Sequence, residues 1–420
     1  MEIQSKQKLV WIINPYTVPI SKRTRQIVLS QRLIEAGYKV VIVCGSQIHG
    51  TDKYLLKKNE KYKFIEFDGE QFLIVNTMIY EGNGAKRVLA SIQFQHAVWN
   101  LRKSLPVPDV IVSNFAGLFG NVYLKYKRKY STRIIYDILD LWPETFVDLG
   151  YIKKGSILSK VLYSMEHRSY RDSDGVIFSF EGGRDYIIER GWDKASGGNV
   201  DINKVGYINN GVDLETVDKN RVELILDDYD LDTDKFKVAY LGSIRRANDL
   251  EIIVETAKVL HDRKEESIVF LIYGDGDQRA TLEMKAEEYG LTNIIFKGRL
   301  PVEYAPNMLS RCNINIFNFM NVPITRFGLS PNKLFMYFAS GKPVLETLMP
   351  NYDLVSGRNC GIVTDNTPEA IADGIIKFSK MPKEEYELYC QNCRAVAEEF
   401  DYKNLVKVLI DQIEGKYEEA

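Results

Sequence analysis

The sequence predicts two successive α/β units, each a parallel sheet covered by helices on both faces. Three observations lead there. Its 420 residues are long for one domain and comfortable for two. Apolar runs of strand length alternate with helix-period segments almost throughout, the pattern of parallel sheets buried on both faces. The alternation is interrupted once, between residues 212 and 235, where Asp227, Asp228, Asp230, Asp232 and Asp234 crowd a polar stretch that reads as a domain link.

In the first series, residues 8–13 read as a strand. Residues 21–36 read as a helix with Ile27, Leu29, Leu33 and Ile34 inward; Gly37 ends it, and 40–44 form the next strand. Further strands are expected at 110–113, 134–138, 176–179 and 205–208. The second series starts at 236–241 and continues with strands at 269–273, 293–296, 314–317, 343–345 and 361–363. The expected domains are therefore 1–212 and 213–403, with a last helix at 404–415 that crosses back to the first.

Composition narrows the class. Hydrophobic residues make up 45% and charged residues 27%, an ordinary globular balance. No apolar run approaches the roughly 18 residues of a membrane span. The apolar stretch at 9–13 is too short for the core of a signal peptide, so a cytoplasmic chain is expected. Five cysteines have no framework spacing, and the lone Cys390-x-x-Cys393 lacks the second pair that a zinc site of about four ligands needs. The histidines, His49, His96, His167 and His261, show no metal spacing, and His167 and His261 are expected on the surfaces of charged helices. Net charge is −2, yet residues 1–200 carry 29 Lys and Arg against 20 Asp and Glu, leaving 26 against 37 in the remainder. A basic half joined to an acidic one fits a face that meets something anionic, or chance asymmetry on solvated surfaces. No basic run is interleaved with aromatics, which argues against nucleic acid as a partner.

Ligands of open α/β sheets bind at the carboxyl ends of strands, so the loops there carry the search. The strongest pattern is Phe327-Gly328-Leu329-Ser330-Pro331-Asn332-Lys333-Leu334, followed by Gly341-Lys342-Pro343. Ser330 suits an N-cap and Pro331 a first helical position. Unpaired N–H groups, a positive dipole end and Lys333 would together hold phosphate; the bland alternative is a capped helix with its lysine in water. Gly242 and Ser243, followed by Arg245 and Arg246, form a second loop where a diphosphate can approach and an arginine can pair with it. Gly274, in Tyr273-Gly274-Asp275-Gly276-Asp277, marks a third loop that is equally a tight turn. No G-x-G-x-x-G, P-loop or G-x-S-x-G motif is present, which argues against dinucleotide and triad chemistry. In the first half, Asp140-Leu141-Trp142-Pro143-Glu144 follows a strand, and Asp140 and Glu144 are placed to orient a hydroxyl nucleophile or take up its proton.

Taken in order, these pieces resemble glycosyltransferase family 4, in particular bacterial members that build O-antigen, capsule or exopolysaccharide. The matching segments are Asp137-x-x-Asp140-Leu141-Trp142-Pro143-Glu144, Ile208-Asn209-Asn210-Gly211-Val212-Asp213, the loop from Tyr240, Tyr273-Gly274-Asp275-Gly276, Phe296-Lys297-Gly298, and Ser330-Pro331-Asn332-Lys333 through Gly341-Lys342-Pro343-Val344. The resemblance implies the GT-B fold, two Rossmann-like domains facing across a cleft, with a nucleotide-sugar donor on the C-terminal one. It implies a retaining enzyme without a metal or other cofactor, since the nucleotide-sugar is a substrate. Arg245 and Lys333 would contact the donor diphosphate, Gly298, Arg299 and Leu300 would lie by the base, and Asp140 would face the reacting sugar. The acceptor would be a glycan hydroxyl, lipid-linked, met by peripheral contact of the basic half with an anionic membrane at the inner face of the plasma membrane. The loop at 15–25 would border the cleft, although it lacks the family's paired glycines. A second departure is larger. The family's two glutamates, eight positions apart, map to Gly328 and Met336. Methionine cannot accept the ribose hydrogen bonds that a carboxylate takes, each worth about 1.5–3 kcal/mol. Met336 therefore sets a second reading beside a transferase, a catalytically impaired partner subunit; a third is a sugar-nucleotide epimerase, which can share this architecture.

Overall fold

The structure, a computed structural model, describes residues 7–20, 24–57, 59–82, 84–320, 322–348 and 351–417. Contacts divide the chain into two compact units, Met1–Asn209 with Tyr402–Ala420, and Asn210–Asp401. The strands are β1 (Leu9–Ile13), β2 (Lys39–Gly45), β3 (Tyr62–Phe67), β4 (Glu70–Val75), β5 (Val110–Ser113), β6 (Arg133–Ile138), β7 (Gly175–Phe178) and β8 (Val205–Tyr207), then β9 (Phe236–Leu241), β10 (Ile268–Tyr273), β11 (Ile294–Gly298), β12 (Ile314–Phe317), β13 (Val344–Glu346) and β14 (Gly361–Val363). The first unit holds helices α1 (Arg25–Glu35), α2 (Ala85–Asn100), α3 (Leu124–Tyr130), α4 (Glu144–Asp148), α5 (Ile157–Asp172) and α6 (Gly183–Glu189). The second holds α7 (Leu214–Glu223), α8 (Glu251–Asp262), α9 (Arg279–Glu288), α10 (Ala305–Ser310), α11 (Asn332–Ser340), α12 (Pro368–Ser379) and α13 (Lys383–Glu399).

The first sheet runs β3-β4-β2-β1-β5-β6-β7-β8 and the second β11-β10-β9-β12-β13-β14. Every ladder is parallel except β3 with β4. Parallel neighbours need long crossovers, and these are the helices that bury both faces. Hence Val10, Ile12, Ile111, Ile135 and Ile177 in the first sheet, and Val238, Phe270 and Ile316 in the second, are all buried. The exception is an edge. Asp68 and Gly69 both take positive φ (53° and 82°) and close a tight hairpin that leaves Phe64 and Phe67 of β3 exposed. The sequence reading assigned neither β3 nor β4.

The final helix, α14 (Tyr402–Glu414), belongs to the first unit, where it packs on α1, β6 and β8. Arg133 Nε donates to the Gln412 carbonyl at 2.7 Å, and Tyr38 donates to Glu414 at 2.7 Å.

Several expectations need correcting. Helix α1 is described from Arg25 onward, and residues 21–23 of the expected helix lie outside the described residues. Ile34 is exposed, because Leu33 is the buried hydrophobic of that last turn. The acidic stretch is no free link: it contains α7, and three of its five clustered aspartates, Asp228, Asp230 and Asp232, are paired within the second unit. Lys297 reaches Asp228 at 2.7 Å and Asp230 at 2.6 Å, Tyr273 donates to Asp228 at 2.7 Å, and Arg311 pairs with Asp232. His167 is half-buried and stacks on Trp192, with ring centroids 5.0 Å apart, whereas His261 is exposed.

One buried ion pair ties the first unit together below its strand ends. Arg25 donates from Nε and Nη2 to the two oxygens of Asp137, at 3.1 and 2.9 Å, and from Nη1 to the Asn209 carbonyl at 2.7 Å. Asn114 adds a bond to Asp137 at 2.8 Å. Both charged side chains are nearly fully buried. Removing one partner leaves the other charged and dry, a cost of about 3–5 kcal/mol. Arg25→Met is therefore expected to lower the thermal midpoint of the purified chain by many degrees, whereas Lys194→Met in the same unit, whose side chain and partner Asp201 are both exposed, should leave it nearly unchanged.

Candidate functional site

The carboxyl edge of the second sheet is laced together by its turns. Gly242 N donates to the Tyr273 carbonyl at 3.0 Å, Gly274 N to the Gly298 carbonyl at 2.8 Å, and Ile244 N to the Asp275 carbonyl at 3.0 Å. The ends of β9, β10 and β11 are thereby held side by side. Gly274 has no alternative there: its φ is +155°, and an added Cβ would lie 1.7 Å from the Gly242 carbonyl oxygen. Gly242 (φ +153°) faces a cation instead, since a Cβ there would sit 3.4 Å from Lys333 Nζ.

Lys333 is the second residue of α11 and comes from a different crossover. Its amine donates to Tyr240 Oη at 3.0 Å and to Asn248 Oδ1 at 2.7 Å, and lies over the Tyr240 and Phe317 rings at 4.4 and 5.6 Å. All four contacts are neutral. No carboxylate pairs with it among the described residues, and desolvation pushes its pKa down to about 7. Asn248 is fixed in turn, donating to Ser243 at the carbonyl and at Oγ, each at 3.0 Å. The Ser243 carbonyl also accepts from Tyr240 at 2.8 Å. The sequence reading missed both partners of the lysine.

The other expected donor contacts are placed as follows. Ser330 does not cap α11: its Oγ accepts from Asn210 N at 2.8 Å, and its carbonyl accepts from Asn210 Nδ2 at 2.6 Å. Pro331 is extended (φ −79°, ψ 124°) and precedes the helix, which starts at Asn332. Leu334 N makes the first turn's bond, to the Pro331 carbonyl at 3.0 Å, so the N–H groups of Asn332 and Lys333 stand ahead of it. Arg245 and Arg246 are exposed and form no ion pair among the described residues. Arg299 is exposed and lies 3.5 Å from Asp275, Gly298 is buried at the end of β11, and Leu300 is half-buried.

Glu346, at the carboxyl end of β13, went unassigned in the sequence. It is 2% exposed and lies beside Phe317 in the β12–β13 register, and its carboxyl has no hydrogen-bonding or cationic partner among the described residues. Burial, with Asp353 adding to it, holds its carboxyl well above the usual range.

In the first unit the two expected acids part company. Glu144 is buried and occupied: Arg190 pairs with it, Tyr163 donates to it at 2.7 Å, and Arg190 stacks on Tyr163 at 3.8 Å. It is not free to serve a nucleophile. Asp140 keeps solvent contact at the strand end, while the surrounding protein raises its carboxyl above the usual aspartate range, opposed by Arg87. Two residues on, Trp142 belongs to a row of aromatic rings. Tyr16, Phe115, Phe119, Trp142 and Phe146, all half-buried, follow one another at 6.0, 6.1, 6.2 and 3.9 Å.

Comparison with known proteins converges on one enzyme class. Residues 222–395 match the family model described as Glycosyl transferases group 1. An uncharacterized glycosyltransferase of Methanocaldococcus jannaschii, MJ1069, is 22% identical over 75% of this chain and 82% of its own length. The putative colanic acid biosynthesis glycosyl transferase WcaI of Escherichia coli is 24% identical over 73% and 74%. Among solved structures, the Anabaena HepE complex with UDP and glucose aligns with a TM-score of 0.64 at 14% identity, covering 97% of this chain and 100% of that one. The E. coli trehalose-6-phosphate structure bound with UDP-2-fluoro glucose aligns at 0.71 and 9%, covering 97% and 99%. The fold is GT-B, and the chain is a glycosyltransferase.

The strand-end lacing sets one expectation. Gly274→Ala must push the Gly242 carbonyl aside, and it is expected to cost about 1–3 kcal/mol. Gly290→Ala, a helix-end glycine in open space, should cost less despite its positive φ. Thermal denaturation of the two variants compares them.

Proposed function

We propose that this glycosyltransferase moves a sugar from a nucleoside-diphosphate donor to a hydroxyl of a growing, lipid-linked cell-surface glycan, with retention of configuration and without a metal. The observation that carries the donor half is Lys333, a cation closed in by neutral groups beside the Gly242 loop. An ammonium in that state gains more from an incoming diphosphate than one already paired with a carboxylate. Lys333, the first N–H groups of α11 and the exposed Arg245 would neutralise the leaving diphosphate, where negative charge develops as the glycosidic bond breaks. Gly242, Ser243, Arg246 and Gly274 would border the diphosphate, and Gly298, Arg299 and Leu300 the base. Asp140 would orient the acceptor hydroxyl or the reacting sugar. Glu144 has no part in this reading; its role is to hold Arg190. The polysaccharide relatives support a glycan acceptor, and the resemblance to family 4 supports retention.

A donor panel tests the proposal, with released nucleoside diphosphate as readout. One nucleotide-sugar should turn over and raise the thermal midpoint, by an amount equivalent to about 2.7 kcal/mol at a hundredfold excess over Kd. Lys333→Ala should cut turnover at least a hundredfold, in line with the loss of one such stabilising group, about 2.7–4 kcal/mol. Asp140→Asn should abolish turnover with the thermal midpoint preserved, whereas Glu144→Gln should lower that midpoint. No shift and no release with any donor would favour the second reading, a partner subunit without catalysis, which Met336 motivates.

A further inference from the structure

We propose that the cavity beside β8, between the start of α6 and α14, is a binding site for a neutral sugar unit of a glycan. It lies wholly within the first unit, and none of the residues assigned to the donor lines it. Its volume is about 410 Å³. Pockets that hold small molecules typically measure about 300–1,000 Å³.

The cavity exists because the first sheet stops there. Strand β8 is an edge of three residues, Val205–Tyr207, and among the described residues no further strand pairs with it. Gly206 in its middle adds no side chain. The opposite wall is α14, whose Gln412 amide is seated over two glycines. A Cβ on Gly175 would lie 2.1 Å from Gln412 Oε1, and one on Gly206 3.3 Å from Gln412 Nε2. Nε2 donates to the Lys204 carbonyl at 3.3 Å, so the amide is held in place.

Two oxygens of this lining are unspent. Gln412 Oε1 and Glu181 Oε2 are buried, and neither has a hydrogen-bond partner among the described residues. The other Glu181 oxygen is engaged, accepting from Tyr207 at 2.6 Å and from Asn209 at 3.4 Å, which fixes the carboxyl at the cavity. A buried polar atom left unmet is costly, and folded proteins hold few of them. Arg184 donates from Nε and Nη2 to the Val205 carbonyl, at 3.2 and 2.9 Å, and so sets its guanidinium in the same wall.

The balance of charge selects the ligand. Glu181 and Asp411 line the cavity together with Arg184 and Lys416. An anion would meet two carboxyls and a cation two basic groups, so neither gains overall. A hydroxyl donates and accepts at once, and it can meet a carboxyl, an amide oxygen and a guanidinium alike. Phe180 and Val408 add apolar wall, which the C–H face of a sugar ring covers. Several hydroxyls on a ring with an apolar face describe a sugar unit.

Position gives the site a use. Strands β6 and β7 are neighbours, with Ile138 opposite Phe178 and Ser179 N donating to the Ile138 carbonyl at 2.9 Å. Glu181 therefore follows the strand next to the one that Asp140 follows. As a further subsite for the acceptor glycan, the cavity rests on the proposed function; as a sugar-binding site it does not.

The test is saturation-transfer NMR on the full chain, without donor. The probes are methyl glycosides of glucose, galactose, mannose and N-acetylglucosamine at millimolar concentration, with glucuronate and glucosamine as charged sugars. At least one neutral glycoside should receive saturation, and more than either charged sugar. Glu181→Leu should weaken binding about fivefold to tenfold, the worth of one hydrogen bond. Val408→Trp, which fills the cavity, should abolish it. So should Asp411→Trp, which sits at an exposed position of α14 and leaves the fold untouched. Asp140→Asn should leave binding in place. No transfer to any neutral glycoside, stronger transfer to a charged sugar, binding undiminished by both tryptophan variants, or its loss in Asp140→Asn would each overturn the inference. Glycoside binding in a chain that turns over no donor would keep the sugar site and tell against the proposed reaction. Donor turnover with no glycoside binding would do the reverse.

Discussion

A lysine ammonium held by a phenol, an amide oxygen and two aromatic faces is the constraint around which the second unit is arranged. Each contact to Lys333 comes from a different part of the carboxyl edge: Tyr240 from β9, Asn248 from the turn after it, Phe317 from β12. Placing a cation there costs stability. Free lysine stays protonated to about pH 10.4, whereas the native amine releases its proton near 7, so between those values the unfolded chain binds the extra proton and stability rises with pH. A fold keeps such a group when something else repays the cost, and a diphosphate placed beside Gly242 would do so.

The first unit treats its charges in the opposite way. Arg25 with Asp137, and Arg190 with Glu144, are closed pairs whose members already hold each other. They fix the loops after β1 and β6 and have nothing left to offer a ligand. Asp140 differs because it has no such partner among the described residues and keeps solvent contact. Position at a strand end is shared by all these acids; availability separates them.

Much of the fold was legible because parallel strands buried on both faces leave continuous Val and Ile runs, as in β1, β5 and β9. The edge hairpin was not, since its exposed face carries no such run, although Asp68-Gly69 marked its turn. Errors in the site have a common cause, partners remote in sequence. The aspartates before β9 read as a link because Lys297 and Arg311 lie some 70 to 80 residues away. Glu144 read as available because nothing near it announces Arg190. Ser330 read as a cap because Asn210, 120 positions earlier, takes its hydroxyl. Lys333 was legible from its helix start, but its neutral surroundings were not, because Asn248 and Tyr240 gave no pattern that points to a lysine.

The titration of the Lys333 amine itself decides the matter. With lysines labelled by reductive ¹³C-methylation and Lys333 assigned through Lys333→Arg, NMR spectra across pH follow this single group with and without the donor that turns over. The account predicts a midpoint near neutrality in the free protein and a rise of well over one pH unit when the nucleotide-sugar is bound. An ordinary lysine titration in the free protein, or a midpoint that the donor leaves unmoved, would contradict it.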